Sequence, residues 1–370
     1  MKRNFIILSL ALLMAASLAL GQAKARGGLV QIAILLDTSN SMDGLIEQAK
    51  SQLWRIVNEL SLARKGGQAP QLEVALYEYG NSNLDSRQGF IRQVSPLTRD
   101  LDLISEELFG LKTEGGYEYC GWAIKEATQE LHWSKEPGDL KLIFIAGNEE
   151  FNQGSVDYEP ACRQALSRGI LVNTIFCGSY QEGQRIKWEH GAELGGGRYT
   201  NIDQEQKLPD MAAPQDGPIA ELNQELNATF LAWAGSDRKG KERQMEQDRN
   251  ASALSPSTMS DRALAKTTAQ YSVSWDLVEA VRSGRIDIAK LEDAKLPYVL
   301  RGKSLKEKRD YLDRLYQKRM EIGQRIRKLH QERERYIAGK LAPGEEKRML
   351  GYAIIQAVRE QARAKGFSFD

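Results

Sequence analysis

Apolar residues fall along this chain in two regimes, and the change between them lies near residue 210. In the first regime, compact apolar runs alternate with helical spacing. Residues 30–36 are apolar except for Gln31, and residues 72–79, 140–146 and 170–177 form further runs of strand length. Such runs read as strands buried on both faces, as in a parallel sheet covered by helices. Residues 90–94 follow the second run after the turn-rich Gly80-Asn81-Ser82-Asn83, close enough to pair with it as a hairpin, and residues 198–202 make a last edge strand. Between the strands, Leu45, Ile46, Ala49, Leu53, Ile56, Val57 and Leu60 recur at helical spacing. Residues 101–111, 122–131, 162–167 and 186–194 also read as helical, the last stopped by Gly195-Gly196-Gly197. Strands alternating with helices predict an α/β fold: a doubly wound, mostly parallel sheet with one antiparallel strand.

The second regime is helical. Residues 211–217 are rich in Ala, Pro, Asp and Gly and read as a linker, bounded at 209–218. Beyond it Leu222, Leu226, Phe230 and Trp233 recur at helical spacing, and Trp275, Leu277, Val278 and Val281 do so loosely. From 304 to 337, Leu305, Leu312, Leu315, Ile322, Ile326, Leu329 and Tyr336 follow a heptad-like seam, interrupted by Lys308, Arg319 and Arg333. Ala342-Pro343-Gly344 breaks it, and Met349, Leu350, Ile354 and Val358 form a shorter return helix, so an αα-hairpin is expected over 304–364. The organisation expected is an α/β domain at 26–208, the linker, and an α-helical C-terminal domain at 219–370.

Composition narrows the class. Met1-Lys2-Arg3 is basic, residues 5–20 are apolar, and Ala23-Lys24-Ala25 offers a cleavage site before Arg26. Residues 1–25 therefore read as a secretory signal peptide, with an uncleaved anchor as the alternative, and the chain is expected to be exported to the periplasm or secreted. The formal net charge is +1, which gives no whole-chain electrostatic case for nucleic acid. Three cysteines in an exported chain leave at least one unpaired unless it bonds another molecule. Cys162 and Cys177 belong to a consecutive helix and strand, so a Cys162–Cys177 disulfide is expected, against the alternative of three buried thiols.

The candidate chemistry sits where the first strand ends. Residues 37–44 read Asp37-Thr38-Ser39-Asn40-Ser41-Met42-Asp43-Gly44, an acid and two hydroxyls at alternate positions on a strand-to-helix turn. That edge of an open α/β sheet is where ligands bind. A carboxylate and two hydroxyls are hard oxygen ligands, suited to Mg²⁺, with Mn²⁺ or Ca²⁺ as alternatives, and not to zinc. The plainer reading is that Asp37 and Ser39 only cap the helix.

This Asp-x-Ser-x-Ser turn resembles the metal-ion-dependent adhesion site of von Willebrand factor A domains, and the resemblance covers about residues 28–205. It implies that a second loop supplies a Thr and a third an Asp. Here the second loop runs Thr113-Glu114-Gly115-Gly116-Tyr117-Glu118, which places Glu118 at the ligand position and leaves Thr113 a weaker candidate. At the third, Gly147 stands where the resemblance calls for Asp, with Glu149 close enough to act through water. The metal set expected is thus Asp37, Ser39, Ser41 and Glu118, with Glu118 restoring the charge that Gly147 lacks. The competing reading is a degenerate site.

Nothing nearby reads as catalytic. His132, His190 and His330 lie far apart, no His partners Ser39 or Ser41, and the glycine triplet follows a helix, so it is no phosphate loop. The function expected is a non-enzymatic, exported, metal-dependent protein-binding module with no small-molecule cofactor. By the same resemblance, an acidic side chain of the protein partner completes the ion's coordination. A metal-dependent hydrolase, with Glu149 as base, and a purely structural scaffold are the alternatives. The basic face of the expected hairpin (Lys306, Lys308, Arg309, Arg314, Lys318, Arg325, Arg327 and Lys328) reads as solvated, or as a contact for an anionic envelope component.

Overall fold

The computed structural model describes residues 27–206, 211–234, 239–340, 347 and 349–369. The expected leader, the 208/209 boundary and the Ala342-Pro343-Gly344 break lie outside the described residues. The strands are β1 (Leu29–Asp37), the short β2 (Ala63–Arg64), β3 (Gln71–Tyr79), β4 (Ile91–Thr98), β5 (Leu140–Gly147), β6 (Leu171–Cys177) and β7 (Gly196–Ile202). Six of them form one sheet in the order β4-β3-β1-β5-β6-β7. Every pairing is parallel except that of β4 with β3. β1 lies at the centre and all nine of its residues are buried, which is what its apolar run requires.

Side chains alternate across β1 and divide the core. Val30, Ile32, Ile34 and Leu36 meet α1 (Asp43–Ser61) and α2 (Leu101–Gly110). Ala33 and Leu35 meet α3 (Cys120–Glu130) and α4 (Tyr158–Ser167) on the opposite face, where, after the short α5 (Tyr180–Arg185), α6 (Trp188–Leu194) inserts Trp188. The helix expected over 186–194 is α6; the turn between it and α5, which was not expected, passes through Lys187, whose φ is +79°.

The helical region comprises α7 (Asp216–Ala228), α8 (Gly240–Leu254), α9 (Pro256–Ala265), α10 (Leu277–Arg282), α11 (Leu305–Ala338) and α12 (Leu350–Ala364), followed by β8 (Ser368–Phe369). Local chemistry sets several starts. Ser255 caps α9 with Pro256 at its first position, and Ser304 and Glu307 form a reciprocal capping box on α11.

One continuous apolar cluster joins β1 and α1 to residues of α7, α9, α11 and α12. One expectation is corrected: α11 and α12 do not form a hairpin. α11 packs on α7 and α9, whereas α12 packs on α1 and across β5 to β7. The first N–H groups of α12 have no partner within their own helix. They donate to α1 instead, Leu350 N to Gln48 Oε1 at 2.9 Å and Gly351 N to Gln52 Oε1 at 2.7 Å. β8 then pairs antiparallel with β2.

A buried ionic network fastens α8 and α9 to α2. Arg262 is fully buried between Asp102 (2.7 Å) and Asp248 (2.5 Å), with its guanidinium over Trp54. Lys266 meets Asp248 at 2.9 Å, and Tyr271 donates to Asp102 at 2.6 Å. Burial pushes the Lys266 ammonium down to about 8 although the Asp248 charge opposes this.

The expected Cys162–Cys177 bond is also corrected. All three cysteines are free and buried. Cys162 lies in the cluster on one face of the sheet and Cys177 in the cluster on the other, so strand parity turns the Cys177 thiol away from its neighbour in sequence. Among the described residues, no helix is long and apolar enough to cross a membrane.

Candidate metal centre

β1 delivers Asp37 to the carboxyl edge of the sheet, where Asp37 pairs in register with Tyr79 of β3. The chain then turns: Thr38 N donates to Tyr79 O at 2.8 Å and Ser39 N to Asp37 Oδ1 at 2.8 Å. Asp37 and Ser39 are buried and Ser41 is exposed. The two hydroxyls lie 3.4 Å apart, and Asn148 Nδ2 donates to Ser41 Oγ at 3.0 Å.

The second loop is laced to the first. Asn40 N donates to Gly115 O at 3.0 Å, Glu114 N to Thr38 O at 2.9 Å, and Tyr117 N to Gly80 O at 3.3 Å. These bonds hold Glu118, itself buried, in hydrogen-bonding contact with Asp37. Gly80 makes the approach feasible. A Cβ there would stand 2.7 Å from Asp37 Oδ1 and 3.0 Å from Glu118 Cγ, and its φ of +85° also favours glycine.

The electrostatics are those of two acids forced together. Burial, then the Glu118 charge, holds the Asp37 carboxyl well above the usual carboxylate range. Burial raises Glu118 as well, against hydrogen bonds from Asp37 and Ser39. Asp37 Oδ2 and Glu118 Oε2 are both shut off from water with no hydrogen-bond partner. Two orphaned buried carboxylate oxygens beside two hydroxyls fit a hard divalent cation and fit poorly with nothing. Among the described residues, no group of three or more His, Cys, Asp or Glu is placed to hold a metal.

The structure brings together Asp37, Ser39, Ser41 and Glu118. It does not bring in the other two candidates. Thr113 Oγ1 donates to Asp43 Oδ1 on the neighbouring turn. The Glu149 side chain is exposed on the rim, although its backbone N–H bonds Glu118 and its carbonyl accepts from Trp188 Nε1 at 2.8 Å.

Sequence reasoning missed Tyr79. Its hydroxyl donates to Ala146 O at 2.9 Å, and Cys120 Sγ lies 3.8 Å from it. A Cβ at Gly147 would lie 2.5 Å from that hydroxyl and 3.0 Å from Asp37 Oδ2. The phenol therefore occupies the space that a side chain at 147 would need. The signal was present, because a tyrosine ending a buried strand beside Asp37 must place its hydroxyl on some polar group.

Two of the three histidines are engaged elsewhere: His190 Nδ1 is 2.8 Å from Tyr158 Oη, and His330 Nε2 is 2.8 Å from Asp261. On the basic helix, Lys306 pairs with Asp310, Lys308 with Asp293 and Lys318 with Glu225.

The sheet order, the acid-and-hydroxyl turn at its centre and the loop that closes over it define an A-type α/β domain. The model of the von Willebrand factor type A domain matches residues 31–216, and the chain belongs to that family. Domains of this family commonly mediate protein–protein interactions and often bind a divalent metal. No curated protein matches the chain. Among solved structures, it is similar to the conserved hypothetical protein BatB from Bacteroides thetaiotaomicron, with 19% identity over 47% of this chain and 90% of that one and a TM-score of 0.36. It is also similar to proximal thread matrix protein 1 from the mussel byssus, a structure with a zinc-occupied metal-ion-dependent adhesion motif. There the identity is 16% over 47% of this chain and 42% of the other, with a TM-score of 0.35. A third is an aerotolerance-related membrane protein from Bacteroides fragilis, with 20% identity over 47% and 92% and a TM-score of 0.31.

Proposed function

We propose that this chain is an exported protein-binding module whose A-type domain holds a divalent cation, Mg²⁺ foremost, through Asp37, Ser39, Ser41 and Glu118. The observation that carries this reading is the pair of buried carboxylate oxygens, Asp37 Oδ2 and Glu118 Oε2, without a hydrogen-bond donor. Each residue has a distinct task. Asp37, fixed through Oδ1 by Ser39 N, keeps Oδ2 for the ion. Ser39 and Ser41 add neutral oxygens, the second oriented by Asn148. Glu118 supplies the second negative charge, in place of the acid that Gly147 cannot offer while Tyr79 fills its space. When bound, the cation offers an open position to an acidic side chain of a protein partner. The exposed rim at Ser41, Glu149 and Tyr117 is where that partner meets the chain.

The hydrolase alternative is the less favoured. A water-activating site needs a base beside the metal, and the Glu149 side chain, the base that reading named, is exposed on the rim. The test is a titration of the purified chain with Mg²⁺ and Mn²⁺, read by calorimetry and by melting. Saturable binding that raises the melting temperature, abolished by Asp37→Ala and weakened by Glu118→Gln, is expected. No metal-dependent shift at millimolar ion would reduce the motif to a capped turn.

A further inference from the structure

A second polar site lies at the other end of the sheet. β4 runs antiparallel to β3, so its carboxyl end, and Arg99 just beyond it, sit opposite the edge that carries Asp37. There Arg99, the segment after α9 and the middle of α11 enclose a cleft of about 380 Å³. That volume falls within the range of small-molecule sites.

The cleft's cations are of two kinds. Lys266 and Arg319 are committed to the protein. Lys266 meets Asp248, and Arg319 meets Asp276 at 2.8 Å and the Thr229 carbonyl at 2.7 Å. Arg99 and Arg327 are not so held. Arg99 Nε is shut off from water and has no hydrogen-bond partner. Arg327 Nη1 reaches only Thr267, at 3.3 Å to its hydroxyl and 3.5 Å to its carbonyl, the outer limit of a hydrogen bond. An unpaired guanidinium N–H out of water is costly and calls for an acceptor. Of the two lining acids, Asp276 is held by Arg319, which leaves Glu279 against two guanidinium groups and a net positive cleft. Gly323 of α11 keeps the space clear. A Cβ there would stand 3.3 Å from Thr267 and 3.5 Å from Arg327 Nη1.

We propose that this cleft binds a small oxyanion ligand, a carboxylate or a phosphate, between Arg99 and Arg327. Guanidinium groups suit that chemistry because their N–H groups pair with two oxygens at once. The site shares no residue with the carboxylate pair at Asp37, so it stands or falls independently of the metal.

The test uses the purified chain in metal-free chloride buffer at constant ionic strength, titrated separately with inorganic phosphate and with succinate. Saturable binding by calorimetry, with a rise in melting temperature, is expected for at least one probe. Phosphate alone or succinate alone identifies which oxyanion the cleft prefers. Arg99→Gln and Arg327→Gln should each weaken binding roughly tenfold or more, since each removes a charge-assisted contact. Gly323→Leu should block it by filling the cleft while favouring the helix. Circular dichroism and unliganded melting confirm that each variant is folded. The proposal is overturned if neither probe saturates below about 10 mM, a weak binding limit, or if the folded Arg99→Gln/Arg327→Gln double variant binds as the wild type does.

Discussion

Replacing Glu118 by glutamine should move two properties of the chain in opposite directions. Without a cation, Glu118 and Asp37 are two buried acids in contact, each with an oxygen that nothing in the protein satisfies. Glutamine keeps the shape, removes one charge and brings an amide donor that can reach Asp37. Relief of one unsatisfied buried polar atom is worth about 1–3 kcal/mol. At roughly 2–4 °C per kcal/mol, the metal-free variant should melt several degrees above the wild type. The response to metal should shrink, because a charged ligand is gone. A ligand at a hundredfold excess over its dissociation constant stabilises by about 2.7 kcal/mol, and a tenfold weaker site forfeits about half of that. The pH dependence gives a second check. Both carboxyls titrate above their unfolded values, so the folded metal-free chain binds more protons than the unfolded one. Its stability must then fall as pH climbs from the unfolded carboxylate range through the folded values. Glu118→Gln should flatten that slope. The assay is differential scanning calorimetry from pH 4.5 to 8, with chelator and with Mg²⁺. A variant that melts lower without metal and keeps the full metal response would refute the carboxylate-pair argument.

Three further outcomes follow from the packing. Gly147→Asp should destabilise the chain by about 1–3 kcal/mol through overpacking against Tyr79, and adding Tyr79→Phe should recover part of the loss in denaturant titrations. Arg262→Met leaves Asp102 and Asp248 without their shared partner and should cost about 3–5 kcal/mol by urea unfolding. The three thiols should resist a disulfide-exchange reagent in the native state and react together on unfolding, since burial raises the pKa of Cys120, Cys162 and Cys177 alike; fast native reaction of any one would contradict its burial.

The α/β half was legible because its strands are buried on both faces, and an unbroken apolar run such as that around Ile32 has few other uses. The meeting of Glu118 with Asp37 was legible too, once the loop was anchored on the apolar start of its helix at Ala123 and Ile124. Other features left no local trace. The amphipathic face of residues 350–364 says that the helix packs, but not whether it packs on α11 or on the sheet. Cys162 and Cys177 are neighbours in topology, yet the period of two along β6 decides which face each thiol takes. The Tyr79 hydroxyl and the missing side chain at 147 are a pair in space only, sixty-odd residues apart in sequence, and neither residue announces the other.

The seating of α12 on α1 has a consequence for how the molecule comes into being. The bond from Leu350 N to Gln48 Oε1 spans 302 residues, and β8 joins the chain's last described strand to one of its first. Contacts so distant in sequence slow folding, because a long loop must close before they form. As the polypeptide emerges from the ribosome, the strands of the sheet are complete long before the helix that roofs part of one face exists. During that interval the face of α1 that carries Gln48 and Gln52, which α12 later covers, stays open to water and to other chains. Such exposure invites aggregation or a chaperone. It also makes the fold self-checking: a chain that stops short of α12 leaves that face of α1 unsealed.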